Sequence, residues 1–115
     1  MSKIKLVVNN TIQLKEKEKF FIKKELQSIL NLYAKMVSNG SWKDYSFTAG
    51  IKEVSFNVYQ RASEKPVLRI SKNLKPKYFN EKYLIKDKNG IVLKKSENLS
   101  QLIDKTSWNK LRLIK

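Results

Sequence analysis

Apolar and polar positions follow two different periods along this chain. Over residues 17–38, Ile22, Leu26, Ile29, Leu30, Tyr33, Met36 and Val37 recur at steps of three and four. That spacing predicts an α-helix with one apolar stripe. Glu16, Glu18 and Glu25 gather toward its start, where the helix dipole favours anions. Asn39-Gly40 marks its end, because glycine readily takes the left-handed cap conformation. Beyond the cap the period falls to two. Tyr45, Phe47 and Ala49 alternate, then Gly50-Ile51-Lys52 turns the chain. Val54, Phe56 and Val58 line one side of the next strand and Ser55, Asn57 and Tyr59 the other. Leu68 and Ile70 continue the apolar side. Tyr83 and Ile85 alternate before Asp87-Lys88-Asn89-Gly90, a hairpin turn with glycine at its left-handed position, and Ile91, Val92 and Leu93 return. Asn98-Leu99-Ser100-Gln101 reads as a capping box opening a short helix through Leu99, Leu102 and Ile103. Trp108, Leu111, Leu113 and Ile114 are expected to pack on the core, as is Trp42.

These elements predict one α+β domain spanning residues 1–115. One long N-terminal helix packs on an antiparallel meander of four to five strands, followed by a short C-terminal helix. Residues 1–16, with β-branched positions around Asn9-Asn10, read as a strand, a short hairpin or a flexible arm.

Parity also suggests a register for the strands on either side of the Ser63-Glu64-Lys65 loop. If Val54, Phe56 and Val58 face the core, Leu68 and Ile70 must face it too, and a slip of one residue would turn them outward. The pairing that achieves this joins Gln60 to Leu68 and Ala62 to Pro66. It also sets Tyr59 opposite Arg69 and Arg61 opposite Val67. Tyr59, Arg61 and Arg69 then form one cluster on the second sheet face, with a guanidinium stacked on a phenol ring.

Composition narrows the chemistry. Histidine and cysteine are both absent. Disulfides, imidazole or thiolate metal sites and Cys–His or Ser–His–Asp catalysis are therefore excluded. No metal site and no cofactor are expected. Only three glycines occur, each at a turn, so no glycine-rich phosphate loop is present. Asp44, Glu53, Glu64, Glu81 and Asp87 sit on turns or strand edges and read as solvated or ion-paired groups rather than an acid–base pair. Ser63 and Lys65 share a hairpin tip, where nothing would depress the lysine pKa. The chain is therefore expected not to be an enzyme. The apolar runs are far shorter than the about 20 residues of a membrane span, and the one near the start is too short for a signal peptide. With no cysteine, these features fit a cytoplasmic protein.

Charge is the strongest functional signal. Twenty-five basic residues stand against ten acidic ones, a net +15 in 13.5 kDa. Such an excess attracts polyanions over long range. The abundance of lysine, isoleucine and asparagine also suits an A/T-rich genome, which supplies the same charge without a function. Lysines 72, 75, 77, 82, 86, 88, 94 and 95 stand against only Glu81 and Asp87, with Tyr78, Phe79 and Tyr83 among them. Cations for phosphate and rings for bases are the components of single-stranded nucleic-acid binding. The plainer reading is a solvated strand pair whose aromatics fill the core.

Twenty-two of the basic residues are lysine and three are arginine, yet Arg61 and Arg69 flank one turn. Arginine offers a planar fork for carboxylate or phosphate. An internal bridge from Arg61 to Glu64 or Glu53 would use that fork equally well.

The runs Glu25-Leu26-Gln27-Ser28-Ile29-Leu30-Asn31-Leu32-Tyr33, Gly40-Ser41-Trp42-Lys43-Asp44-Tyr45 and Val54 to Pro66, with Arg69-Ile70, resemble a family of small alphaproteobacterial proteins catalogued only as a domain of unknown function. The resemblance spans residues 20–103. Its most specific part is Arg61-Ala62-Ser63-Glu64-Lys65-Pro66 after an aromatic-rich strand. The chain departs from it at Gln60, where the family tends to carry the first of an arginine pair. The resemblance implies an alphaproteobacterial source and no activity.

Two readings follow. The first is a small basic module for RNA, DNA or a ribonucleoprotein. Lys72, Lys75, Lys77, Lys94 and Lys95 would neutralise phosphate, and Tyr59, Arg61 and Arg69 would make a specific contact. The second is an adaptor that grips an acidic protein partner through a sheet face or edge. The sequence sets neither the oligomeric state nor the partner.

Overall fold

The period-two half of the chain folds as a single meander. The computed structural model describes residues 18–61 and 65–108. They form α1 (Lys23–Ser38), β1 (Asp44–Ala49), β2 (Glu53–Tyr59), β3 (Leu68–Asn73), a 3-10 turn (Phe79–Glu81), β4 (Tyr83–Asp87), β5 (Val92–Ser96) and α2 (Leu99–Lys105). The five strands lie in the order β1-β2-β3-β4-β5, every neighbour antiparallel. The α+β expectation holds at the upper strand count. The helix is 16 residues, shorter than the 22-residue periodic segment that pointed to it. The readings placed on residues 1–16, on the tip at residues 62–64, and on Leu111, Leu113 and Ile114 fall outside the described residues.

One face of the sheet supplies the core. Val54, Phe56 and Val58 meet Leu68 and Ile70 of β3 and Tyr83 and Ile85 of β4, all buried. Ile29, Leu32 and Met36 of α1, Leu99 and Leu102 of α2, and both tryptophans belong to the same cluster. The Trp42 and Trp108 rings meet edge to face, with centroids 5.7 Å apart. The Trp108 indole N–H donates to the Ile103 carbonyl at 3.0 Å, so the one polar atom of that ring is satisfied.

The helix stripe is rotated from the expected one. Glu25, Ile29, Leu32 and Met36 are buried, while Leu30 and Val37 are exposed. Leu26 and Tyr33 flank the stripe, partly buried. A carboxylate thus occupies a core-facing position. Glu25 also reaches back to accept the Ile22 backbone N–H at 2.8 Å, satisfying one of the helix's orphan donors. At the other end Gly40 takes φ +82°, and the Gly40 and Ser41 N–H groups donate to the Val37 and Met36 carbonyls.

The β2–β3 register differs from the expected one by two residues. Val58 faces Leu68, Asn57 faces Arg69, Phe56 faces Ile70 and Val54 faces Lys72. Arg69 is therefore not opposite Tyr59, whose partner is Asp44 on β1. A two-residue slip keeps every side chain on its own face, so apolar alternation cannot choose between the two registers. Backbone donors do choose. Val67 donates to the Val58 carbonyl at 2.8 Å, and Pro66, with no N–H, precedes the last ladder bond. At the other hairpin Gly90 sits at φ +85°, and the Asp87 carboxylate accepts from the Asn89 and Ile91 N–H groups at 2.9 Å each. The return strand begins at Val92. A register shift at Ile85/Lys86 leaves Ile91 and Val92 exposed and Leu93 partly buried against the core.

Candidate nucleic-acid interface

The antiparallel strands bring two loops to one end of the sheet. One is the β1–β2 turn at residues 50–52. The other is the β3–β4 connection at residues 74–82. The Leu74 N–H donates to the Lys52 carbonyl at 2.8 Å, which ties the two together. At the base of the connection the Asn73 N–H donates to the Lys82 carbonyl at 2.7 Å, and the Asn73 side chain accepts the Lys75 N–H at 3.0 Å. Lys52, Lys75 and Lys77 are exposed along this rim. The Lys77 ammonium stands 5.7 Å from the centroid of the Tyr78 ring. Lys95 reaches the rim from β5, 3.9 Å from the Glu81 carboxylate, and Lys94 is exposed beside it. A second rim carboxylate, Glu53, is held by Lys86 at 3.1 Å. A third, Glu97, is exposed one residue past β5, and Lys52, Lys75, Lys77 and Lys94 outnumber it.

Four of the eight predicted binding residues therefore converge here or next to it: Lys75, Lys77, Lys94 and Lys95. Tyr59 and Arg61 lie at the opposite end of the sheet, where β2 ends. The Tyr59 hydroxyl is 3.0 Å from Ser46 Oγ of β1. Arg69 sits within β3, partly buried between Asn57 and Lys86. The expected single site is two separate groups.

Lys72 leaves the surface altogether, a correction to its predicted phosphate role. It shares the parity of Leu68 and Ile70, so its stem enters the core face, and it is 0% exposed. Its ammonium donates to the Phe20 carbonyl at 3.1 Å and to Glu25 Oε1 at 2.9 Å, and pairs with Glu18 Oε1 at 2.8 Å. Three acceptors match its three N–H bonds. The Tyr83 hydroxyl, directly across the ladder, donates to the other Glu25 oxygen. Burial, and then the hydrogen bond to Glu25, raises the Tyr83 phenol pKa far above its ordinary value. The hydrogen bond from Lys72 lowers the Glu18 carboxyl pKa, against the opposing effect of partial burial. A lysine, a tyrosine and two glutamates are groups that proton-transfer chemistry uses. Here they saturate one another, and Lys72, Tyr83 and Glu25 are all buried. What the arrangement does is clamp the start of α1 to β3 and β4. Strand parity at Lys72, two beyond Ile70, was the signal in the sequence that could have found it.

The second sheet face is polar. Asn57 Nδ2 donates to Ser46 Oγ at 3.2 Å and to Thr48 Oγ1 at 3.0 Å, and Ser55 Oγ donates to Asn57 Oδ1 at 3.0 Å. Ser71, opposite Ser55, is fully buried, and its hydroxyl has no hydrogen-bond partner among the described residues. A separate cleft of about 400 Å³ between α1 and α2 is lined by Ser28, Asn31, Lys35, Asp104 and Trp108 among others.

The family model described as "Protein of unknown function (DUF2794)" matches residues 19–103. The chain belongs to this family. The resemblance expected over residues 20–103 is thus met almost to the residue. The DUF2794 segment contains the Lys72 clamp apart from Glu18, all five strands and the whole rim, and ends within α2. No curated protein and no solved structure matches the chain. Among the described residues no helix is long and apolar enough to cross a membrane, and no three His, Cys, Asp or Glu side chains gather as a metal site.

Proposed function

We propose that this DUF2794 protein is a nucleic-acid or ribonucleoprotein binding module that engages phosphate through the lysine rim. The observation that carries this reading is the rim's charge balance: Glu53 and Glu81 are engaged by Lys86 and Lys95, Glu97 stands exposed just past β5, and Lys52, Lys75, Lys77 and Lys94 are exposed against it. A polyanion carries condensed counterions, and a +15 chain that neutralises its phosphates releases them, which drives binding. Lysine suits this work, since a mobile ammonium neutralises backbone phosphate without demanding a fixed geometry.

The test is fluorescence anisotropy of labelled RNA and DNA oligonucleotides from ~50 to 200 mM salt. Affinity is expected to fall by orders of magnitude across that range for a protein making several phosphate contacts. Lys75→Glu with Lys77→Glu is expected to weaken binding at least ~10-fold and to flatten the salt slope. Absence of binding at the lowest salt would overturn the reading.

The edge strand β1 favours a second reading, in which an acidic protein partner adds a strand there. Only Asp44 of its six residues is charged, whereas β5 carries Lys94 and Lys95, which discourage edge pairing. A defined protein stoichiometry with no affinity for RNA or DNA would select it.

A further inference from the structure

We infer that Tyr78 and Phe79 form a stacking platform that makes the lysine rim select unpaired over base-paired nucleic acid; this rests on the phosphate-binding reading above. The other aromatics pack inside or on one another: Trp42, Trp108, Phe21, Phe56 and Tyr83 are buried, Phe20, Tyr33, Phe47 and Tyr59 are half-buried, and Tyr45, though 41% exposed, rests against Tyr33, Phe47 and Phe56. Tyr78 and Phe79 are consecutive, and they are 56% and 81% exposed. Ile51 on the neighbouring turn is 87% exposed. Exposed rings of this size are not explained by packing, and a pair of them among cations points to a planar ligand.

The rings sit on a braced segment. Tyr78 is extended, at φ −127° and ψ 142°, and begins the 3-10 turn. The Glu81 N–H donates to the Tyr78 carbonyl at 3.0 Å and the Lys82 N–H to the Phe79 carbonyl at 3.1 Å. With the Asn73 bonds at its base, the turn fixes the backbone that carries both rings, which lowers the ordering cost of binding. The Lys77 ammonium over one face of the Tyr78 ring puts a phosphate contact next to a stacking contact, the repeat unit of a single strand. A duplex offers the phosphates and keeps the base faces stacked inside, so it engages the lysines alone.

The same group of rings, isoleucine and lysines also suits an anionic bilayer. The carboxylates favour the strand. Glu81 follows Phe79 by two residues and Glu53 follows Ile51 by two. Inserting those apolar tips would carry both acids to the headgroups, whereas a single strand tracks the lysines to one side.

The experiment measures a mixed-sequence single strand, a blunt duplex of the same length and phosphatidylserine vesicles against the wild type and Tyr78→Ala/Phe79→Ala, at ~50 mM salt. Because both side chains are exposed, the variant is expected to melt with the wild type. It is expected to lose roughly 10- to 100-fold in single-strand affinity, with duplex affinity held within about twofold. Tyr78→Phe/Phe79→Tyr is expected to retain binding, since every ring presents a face. Equal loss on both nucleic acids, no loss on either, or loss confined to phosphatidylserine vesicles would overturn the stacking role while leaving the lysine rim standing. Failure of the wild type to bind either nucleic acid would overturn both.

Discussion

Lys72 with Tyr83 and Lys77 with Tyr78 pair the same two residue types at the same end of the sheet, and they face opposite media. The first pair is buried and closed. Glu25 accepts from both members, and Glu18 and the Phe20 carbonyl complete the ammonium's bonds. The second pair is exposed, its cation resting over the ring. The two lysines lie five positions apart, and what divides them is their place relative to the strand. Lys72 follows Leu68 and Ile70 onto the core face of β3, while Lys77 lies beyond the end of that strand. A lysine in a basic protein is thus not interchangeable with its neighbours. One is an internal counter-ion, and the other is available to a partner.

Breaking the buried pair should have the largest effect. Lys72→Ala leaves Glu25 with a buried, uncompensated charge, and such losses run to about 3–5 kcal/mol. Lys77→Ala, on the exposed pair, is expected to stay within about 0.5 kcal/mol. Urea unfolding of both variants measures the contrast directly. Replacing the whole cluster by Lys72→Met, Glu25→Leu and Tyr83→Phe should recover most of the Lys72→Ala loss, because a packed apolar group is an adequate substitute for a buried ion pair. Equal stability of Lys72→Ala and Lys77→Ala would mean that Lys72 is not closed off as described.

Tyr83→Phe is the next step down. It removes one hydrogen bond to a buried carboxylate, worth about 1.5–3 kcal/mol. It carries a pH signature as well. The Tyr83 phenol has a folded pKa raised above its ordinary 10.0 by burial and by Glu25. The folded state therefore holds the proton where the unfolded chain has released it. The resulting stability is whole below pH 10 and declines as pH climbs from there toward the folded pKa. Wild type should lose stability faster than Tyr83→Phe above pH 10, and parallel alkaline curves would count against the buried phenol.

Most of the fold could be read from periodicity, because burial on one sheet face imposes period two. Val54, Phe56, Val58, Leu68, Ile70, Tyr83 and Ile85 are all buried as that rule demands. The turns at Gly40 and Gly90 were visible because a left-handed backbone needs glycine. Register was not visible. Parity is blind to a slip of two, and so Arg69 moved from Tyr59 to Asn57. The helix stripe was misjudged at Glu25 for a related reason. A carboxylate is tolerable inside only because Lys72 and Tyr83 arrive from 47 and 58 residues away, and pattern within the helix cannot register that. The grouping of the candidate binding residues was only partly legible. Charge density marked Lys75, Lys77, Lys94 and Lys95, and only topology shows that they share a neighbourhood from which Tyr59 and Arg61 are absent.

The smallest expected effect lies at Ser71, adjacent to Lys72 in sequence and facing the other side of the sheet. Both side chains are 0% exposed. Lys72 has three acceptors, whereas the Ser71 hydroxyl has no partner among the described residues. Ser71→Ala removes a group that folding strips of water without repayment, so stability is expected to hold or rise by up to about 1 kcal/mol. Ser55→Ala, directly across the ladder, breaks the bond to Asn57 and is expected to lose about 1 kcal/mol. Paired urea titrations separate the two serines. A loss at Ser71 equal to that at Ser55 would show that the hydroxyl holds a bound water or ligand atom. The polar face would then be a second place, beside the rim, where the molecule meets a partner.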